Sequence, residues 1–419
     1  MGKTISEKIL SNKSGTDAKA GQIVLAKIDR AMSHDGNRPI PLDIWKDLGG
    51  KKIFDPKNYI LIIDHSAPSP VESISNVHKK MRQYAKQLNL KLFDVGEGVC
   101  HQIMVEKGLA LPGELIIGSD SHTCTYGALN LFATGMGSTD IAMAIAEGKQ
   151  WFRVPETIRI ILNGELPKGV FSKDLILYLV GKLGADGANY MALEFSGEGL
   201  KSIDMEERFT ITNMAVEMGA KVGIMEPDEI MIKWVKERTK KIFELIYPDP
   251  DAKYLETVIV DLSKLSPYIS SPHQVENALP IEEVLGTHID QGFIGSCTNG
   301  RLADLRIAAK ILSENNVYPN FRLIIIPASK EILLNAEKEG LIKTFLNAGA
   351  LISVPGCGPC AGNHMGIPAD GERVISTSNR NFKGRMGNRN AEVFLASPAT
   401  VAATAIKGKI TDPREFLKD

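Results

Sequence analysis

Three cysteines carry the most specific chemistry in this sequence. Cys357 and Cys360 lie in "SVPGCGPCAGNHMG" (353–366), and Cys297 lies well upstream in "GFIGSCTNG" (292–300). A Cys-x-x-Cys pair brings two sulfurs within reach of one metal or cluster, and the flanking glycines let the backbone turn tightly around it. Three chemistries fit. A thioredoxin-like redox pair uses two thiols alone and leaves Cys297 without a role. A structural zinc needs four ligands, which His364 could complete. An iron–sulfur cluster on three thiolates keeps one iron open for substrate or water. Spacing leaves zinc and cluster equally open and puts the redox pair behind both.

Asp64 and His65, and Asp120 and His122 with Ser121 between them, are carboxylate–imidazole neighbours. In such a pair the acid fixes the tautomer of the base and raises its basicity. His101, in "GEGVCHQ", follows a Gly-x-Gly turn. A lone histidine is more often a hydrogen-bonded structural residue. Three at strand or turn ends, two of them beside aspartates, favour a working site. His78 in "NVHKKM" and His288 have no such setting and read as solvated, while His273 falls in a linker-like stretch. Finally, "NRNFKGRMGNR" (379–389) gathers Arg380, Lys383, Arg385 and Arg389 directly after Asn379. Arginine holds carboxylates bidentately, so a di- or tricarboxylic acid is the natural ligand.

The elements that must position these residues are strands alternating with helices. Apolar β-branched runs recur at 59–65, 113–122, 157–164, 292–300, 321–329, 349–356 and 373–381, and helical patterns at 137–152 and 299–312 lie between them. The first helix is expected to start on Ser138 or Thr139 and to run through Ile141, Ile145, Gly148 and Phe152. This alternation predicts α/β layers with mainly parallel sheets. Asp64/His65, the 120–122 set, Cys297, the cysteine pair and Asn379/Arg380 each follow such a run. They would emerge together beyond the carboxyl ends of strands, where α/β sheets build their sites. The stretch 246–282 is rich in proline, aspartate and serine and reads as a linker, and a second boundary is expected near Pro155. The expected units are 1–154, 155–265 and 266–419.

Composition excludes several classes. At 419 residues the chain is long enough for two or three domains. Its 49 basic and 50 acidic side chains leave no field to draw it onto nucleic acid or an anionic membrane. No apolar run is long enough for a signal peptide or a spanning helix, which points to the cytoplasm. Gly2 with Ser6 matches a myristoylation pattern without a basic cluster or second lipid signal to support it. "GMGSTD" lacks the third glycine of a dinucleotide fingerprint, and there is no Walker A sequence. Five cysteines form no disulfide framework in such a chain.

Taken in order, "SDSHTC", "GSCTNGR", "GCGPC" and "SNRNFKGR" closely resemble the aconitase superfamily, from about Glu7 to Lys407. The nearest resemblance is to its separate large subunits acting on isopropylmalates and homoaconitate. It implies three α/β domains around a central [4Fe-4S] cluster on Cys297, Cys357 and Cys360, its fourth iron open to the substrate's hydroxyl and carboxylate. It implies acid–histidine pairs Asp64–His65, His101–Asp120 and His122–Glu217 (in "NMAVE"), the first linked to protonating the departing hydroxyl. His34 in "MSHDG", Ser121, Asn213 and Asn379 would line the pocket, Asn299 would lie beside the cluster, and Arg380 and Arg385 would clamp carboxylates.

The implied activity is a hydro-lyase that isomerises 2- and 3-isopropylmalate in leucine biosynthesis, with homoaconitate, citraconate or 2,3-dimethylmalate as alternatives. In the family a base serine and a further arginine lie on a fourth, swivelling domain. The sequence reaches Asp419 without one, so a separate small subunit is expected to complete the site. The alternative class is a cluster-free or zinc-bound binding protein, RNA binding included, against which the full histidine, arginine and cysteine sets argue. Tyr126 and Asn130 stand where many relatives have His and Gly, and Cys100 and Cys124 are expected to be oxidation-sensitive bystanders.

Overall fold

The computed structural model describes residues 2–417. Its architecture is α/β with three main sheets. In the first, Arg30–His34 is central, flanked by Tyr59–Ile62 and then Lys91–Phe93 on one side, and by Leu115–Gly118 and then Phe132–Gly135 on the other. Every pairing in it is parallel. The second sheet, also parallel, runs Val222–Met225, Ala192–Ser196, Thr157–Asn163, Glu256–Asp261. The third has seven strands, and its parallel part runs Glu392–Leu395, Arg373–Ser376, Gln291–Ile294, Arg322–Ile325, Leu351–Ile352. A small antiparallel ribbon joins Ile23–Lys27 to Lys149–Arg153.

Each expected apolar run contains a strand, for the reason the pattern suggested. Tyr59–Ile62 and Leu115–Gly118 are buried at every position, as strands covered on both faces must be. One apolar core includes Met32 and Ile60 of the first sheet, Phe195 of the second, and Phe293 and Val374 of the third. Burying each such side chain contributes roughly 1.5–3 kcal/mol, so the strand ends carrying the reactive residues are held against one another. The turn Ser121–Leu129 packs so closely on the second sheet that a Cβ at Gly127 would meet the Gly223 carbonyl oxygen at 1.7 Å.

Three local expectations change. The helix expected over 137–152 spans Ser138–Glu147, begins from Gly137 with no side-chain cap, and ends where Gly148 turns left-handed at φ 70°. Ile141 and Ile145 are on its buried face, but Phe152 belongs to the ribbon strand that follows. Apolar alternation in "KQWFR" mimicked another helical turn. The helix expected over 299–312 spans Leu302–Leu312. The stretch 246–282, read as a linker, holds the edge strands Glu256–Asp261 and Ala278–Pro280 and, between the latter and Glu392–Leu395, the short strand Tyr268–Ser270. Of the expected units, Met1 of 1–154 and residues 418–419 of 266–419 lie outside the described residues.

Candidate active site

The first sheet supplies a wall of imidazoles and carboxylates. His34 ends the central strand, Asp64 and His65 follow Tyr59–Ile62, and Asp120 and His122 follow Leu115–Gly118. His101 lies in the first turn of the helix Cys100–Glu106. Asp64 Oδ1 and His65 Nδ1 are 2.7 Å apart, His101 Nε2 and Asp120 Oδ1 2.8 Å, and His122 Nε2 and Glu217 Oε1 2.8 Å. The three expected acid–histidine pairs are therefore formed. Asp120 does more than pair with one ring: its Oδ2 also lies 3.5 Å from His65 Nε2 and 3.6 Å from His34 Nε2, and its Oδ1 accepts the His122 backbone N–H at 2.7 Å.

The His34 and His65 rings stack with centroids 3.8 Å apart, yet their basicities diverge. Burial, followed by the charge on His65, pushes His34 down to about 4. Burial also opposes charge on His65, but Asp64, the Cys357 sulfur and Asp120 outweigh it and raise its pKa well above the ordinary value. At neutral pH the stack pairs a neutral ring with an imidazolium, the division of labour that marks an acid in a site. Burial raises Asp120, but its hydrogen bonds to His101, His122 and His65 win and hold it well below the carboxylate range. Glu217 is likewise lowered, burial being outweighed by His122 and Arg380.

The third sheet supplies the thiols. Cys297 follows Gln291–Ile294 through Ser296, a non-glycine residue at φ 71°. Cys357 and Cys360 follow Leu351–Ile352 in a tight turn whose Gly358 has φ 56°, and a Cβ there would meet Ile326 Cδ1 at 2.2 Å. The Cys357 N–H donates to the Asp64 carbonyl at 2.9 Å, which ties the thiol turn to the acid wall. All three sulfurs are buried and line one pocket with His65, His101, Asp120 and His122. Asn379 and Arg385, beyond Arg373–Ser376, close that pocket. Asn213 and Asn379 donate to Cys297 Sγ at 3.3 and 3.5 Å, and Arg385 reaches Cys360 Sγ at 3.7 Å. Burial pushes the Cys297 thiol up to about 12, and Cys357 well above the usual thiol range despite the opposing charge of His65. Three buried sulfurs that converge on one pocket form a soft donor set that suits an iron–sulfur group.

Not every expected residue lines that pocket. Arg380 stands beside it, held by Glu217 at 2.9 Å. Ser121 lines a neighbouring hollow, with its hydroxyl 3.4 Å from His122 Nδ1. The Asn299 amide donates to Thr210 Oγ1 and Asp304 Oδ1, bracing the Cys297 loop from behind.

Two expectations for bystanders are corrected. His78 is 2% exposed and lies 3.0 Å from Asp35 Oδ2, because its helix, Glu72–Leu88, turns that position inward. Cys100 and Cys124 are fully buried, and burial raises both thiols, which disfavours oxidation. The unusual Tyr126 and Asn130 also have reasons. The Tyr126 hydroxyl lies 3.1 Å from His101 Nδ1, and Asn130 sits at φ 58°, a conformation asparagine tolerates where glycine is the default.

Several positioning groups escaped the sequence reading. Asp35 accepts three successive N–H groups, from Asp64, His65 and Ser66. Buried Lys173 donates to the Thr377 and Ser378 carbonyls at 2.7 Å, fixing the Asn379 loop. Buried Arg301 donates to the Cys297 and Thr298 carbonyls. The backbone partners of Asp35 and Lys173 come from distant segments, which no local motif reveals, while Arg301 folds back onto the loop just before it. For His78 a signal existed: Ile74, His78, Met81 and Ala85 recur at helical spacing and share the buried face.

Residues 7–408 match the model of the aconitase family (aconitate hydratase). The chain belongs to the aconitase family. It is 53% identical over 418 residues to "3-isopropylmalate dehydratase large subunit 2" of Archaeoglobus fulgidus, and 50% identical over 418 residues to "large subunit 1" of Methanopyrus kandleri. A Thermotoga maritima protein, also named 3-isopropylmalate dehydratase large subunit 1, is 51% identical over 420 residues. In all three cases the match covers 100% of both chains. Among solved structures, holo aconitase X of Thermococcus kodakaraensis aligns with a TM-score of 0.52 at 14% identity, covering 85% of this chain and 84% of that one, a likeness of fold. Membership implies an iron–sulfur cluster, which the donor set fits. No helix among the described residues is long and apolar enough to cross a membrane.

Proposed function

We propose that this chain is the cluster-bearing large subunit of a cytoplasmic hydro-lyase that interconverts 2-isopropylmalate and 3-isopropylmalate through dehydration and rehydration. The carrying observation is the three-thiol pocket facing paired imidazoles and carboxylates, in a chain about half identical along its full length to proteins named for that activity. Cys297, Cys357 and Cys360 would hold a [4Fe-4S] cluster. When bound, such a cluster supplies a Lewis-acid iron for the substrate's hydroxyl and carboxylate.

The protein's own groups do the rest. His65, held charged by Asp64, donates its Nε2 proton to the departing hydroxyl. Arg385 at the pocket and Arg380 beside it hold substrate carboxylates, with Glu217 orienting Arg380. His101, His122 and Asn379 line the cavity and exclude bulk water, and His34, Ser121, Asn213 and Asn299 support them. The units 1–154, 155–265 and 266–419 each contribute one main sheet to this frame. The base that removes the proton comes from a separate small subunit, in keeping with the "large subunit" names of the relatives.

The test is anaerobic reconstitution with iron and sulfide, then assay with the small subunit of the same genome on a panel of hydroxyacids. A brown protein with about four irons per chain that dehydrates an isopropylmalate only with its partner is expected. A colourless chain that keeps zinc after reconstitution, or a panel with no turnover, refutes the proposal.

A further inference from the structure

We infer that Asp35 and His78 form a positioning dyad that aims the Asp64–His65 turn, without touching substrate themselves. The inference rests on the reading above for the reaction it concerns. Asp35 is fully buried one residue beyond the strand Arg30–His34. Its Oδ1 accepts the Asp64 and His65 N–H groups at 2.9 and 2.8 Å, and its Oδ2 accepts the Ser66 N–H at 3.0 Å. His78 Nε2, from the inward face of Glu72–Leu88, completes the set at 3.0 Å from Oδ2.

This arrangement does something a generic loop anchor does not. The His65 ring is held by Asp64 on the adjacent residue, whose other carboxylate oxygen accepts the Cys100 N–H at 2.6 Å, so the aim of the ring still depends on the backbone that carries both residues. Asp35 fixes three consecutive amides with one carboxylate, and so sets where His65 Nε2 points relative to Asp120, now 3.5 Å away. His78 in turn steadies the carboxylate: without its donor, Oδ2 would keep the Ser66 amide alone and the plane of the anion would be held less firmly. The dyad thus connects the central strand of the first sheet, a surface-crossing helix and the acid that meets substrate. Supporting partners of this kind set activity by about 10- to 100-fold through orientation.

The experiment uses the reconstituted large subunit in complex with its small subunit. His78→Leu is expected to lower kcat about 10- to 100-fold while KM stays within about twofold and iron and sulfide content stay unchanged. In the same variant, amide exchange at residues 64–66 should accelerate. His78→Gln, whose amide nitrogen can reach the same oxygen, should restore most of the rate and the protection. Asp35→Asn provides a second route should His78→Leu not fold, and is expected to show the same loss in kcat alone. A wild-type kcat in either variant overturns the dyad, as does a loss that His78→Gln fails to rescue or that tracks loss of cluster. If the wild-type complex turns over no hydroxyacid, the proposed function fails instead. Exchange at 64–66 then still decides the dyad, since unchanged protection in His78→Leu overturns it.

Discussion

On the first-sheet wall of the pocket the imidazoles and carboxylates are already matched: Asp64 with His65, Asp120 with His101, Glu217 with His122 and Arg380. On the third-sheet wall the Cys297 and Cys360 sulfurs meet amides and a guanidinium at 3.3–3.7 Å, the Cys357 sulfur lies 3.9 Å from Asp64 Oδ2, and burial raises the Cys297 and Cys357 thiols. The first wall is electrostatically complete as a protein, whereas the second is a donor set in want of a cation. Metal binding reverses the cost of burying thiolates, because the ion's charge replaces the missing counter-charge. The difference teaches that the acid wall should survive loss of the cluster, and that cluster binding should survive loss of the acid wall.

The largest effect expected from this contrast is at a thiol. Cys357→Ser should lose the visible absorbance of the cluster and all measurable turnover together, while circular dichroism of the remaining fold is unchanged. Retained cluster absorbance would remove Cys357 from the ligand set. Next, His65→Gln should lower kcat by roughly 10²–10⁴-fold at full iron content, since it removes a proton donor and no ligand. Loss of iron in that variant would break the separation of the two walls.

Arg380→Lys should raise KM about 10-fold with a smaller change in kcat, measured by initial rates, because a lysine cannot keep both Glu217 and a substrate carboxylate in a planar fork. An unchanged KM would place substrate binding on Arg385 alone. The smallest effect is at His34. Its pKa is lowered to about 4 in the fold, so the unfolded chain binds more protons between that value and the ordinary 6.5. Stability must therefore fall as pH drops through this window. His34→Gln should flatten that part of a Tm-versus-pH curve by a few degrees and leave the limbs of the pH–rate profile in place. A shifted limb would mean that His34 itself titrates during turnover.

Much of this was legible before any coordinates. The runs at 59–65, 113–122 and 292–300 announced buried strands, and Asp64, His65, Asp120, His122 and Cys297 stand at their ends, so strand direction sent each to the carboxyl edge of its own sheet. The family resemblance added Asn213, which ends the helix Met205–Asn213, and Glu217, in the turn that follows it, and neither carries a strand-end signal. Asp35 and Lys173 stayed hidden, since each serves backbone groups of other segments. His78 reads as solvated because it has no strand-end or acid-paired setting, although its spacing from Ile74 and Met81 marks an inward face. The end of the helix at Gly148 was overrun because a strand's alternation can briefly share helical phase.

What the sequence by itself determined is the chemistry and its approximate place: soft thiols, acid–imidazole pairs and arginines at the carboxyl ends of parallel strands. Hydrophobic periodicity and turn residues act over a few positions, and these features are written at that range. What only the tertiary structure decided is partnership. That Asp120 faces four imidazoles, that stacked His34 and His65 differ in charge, and that Asp35 captures three amides all depend on which groups burial strips of water and which neighbours then compensate them.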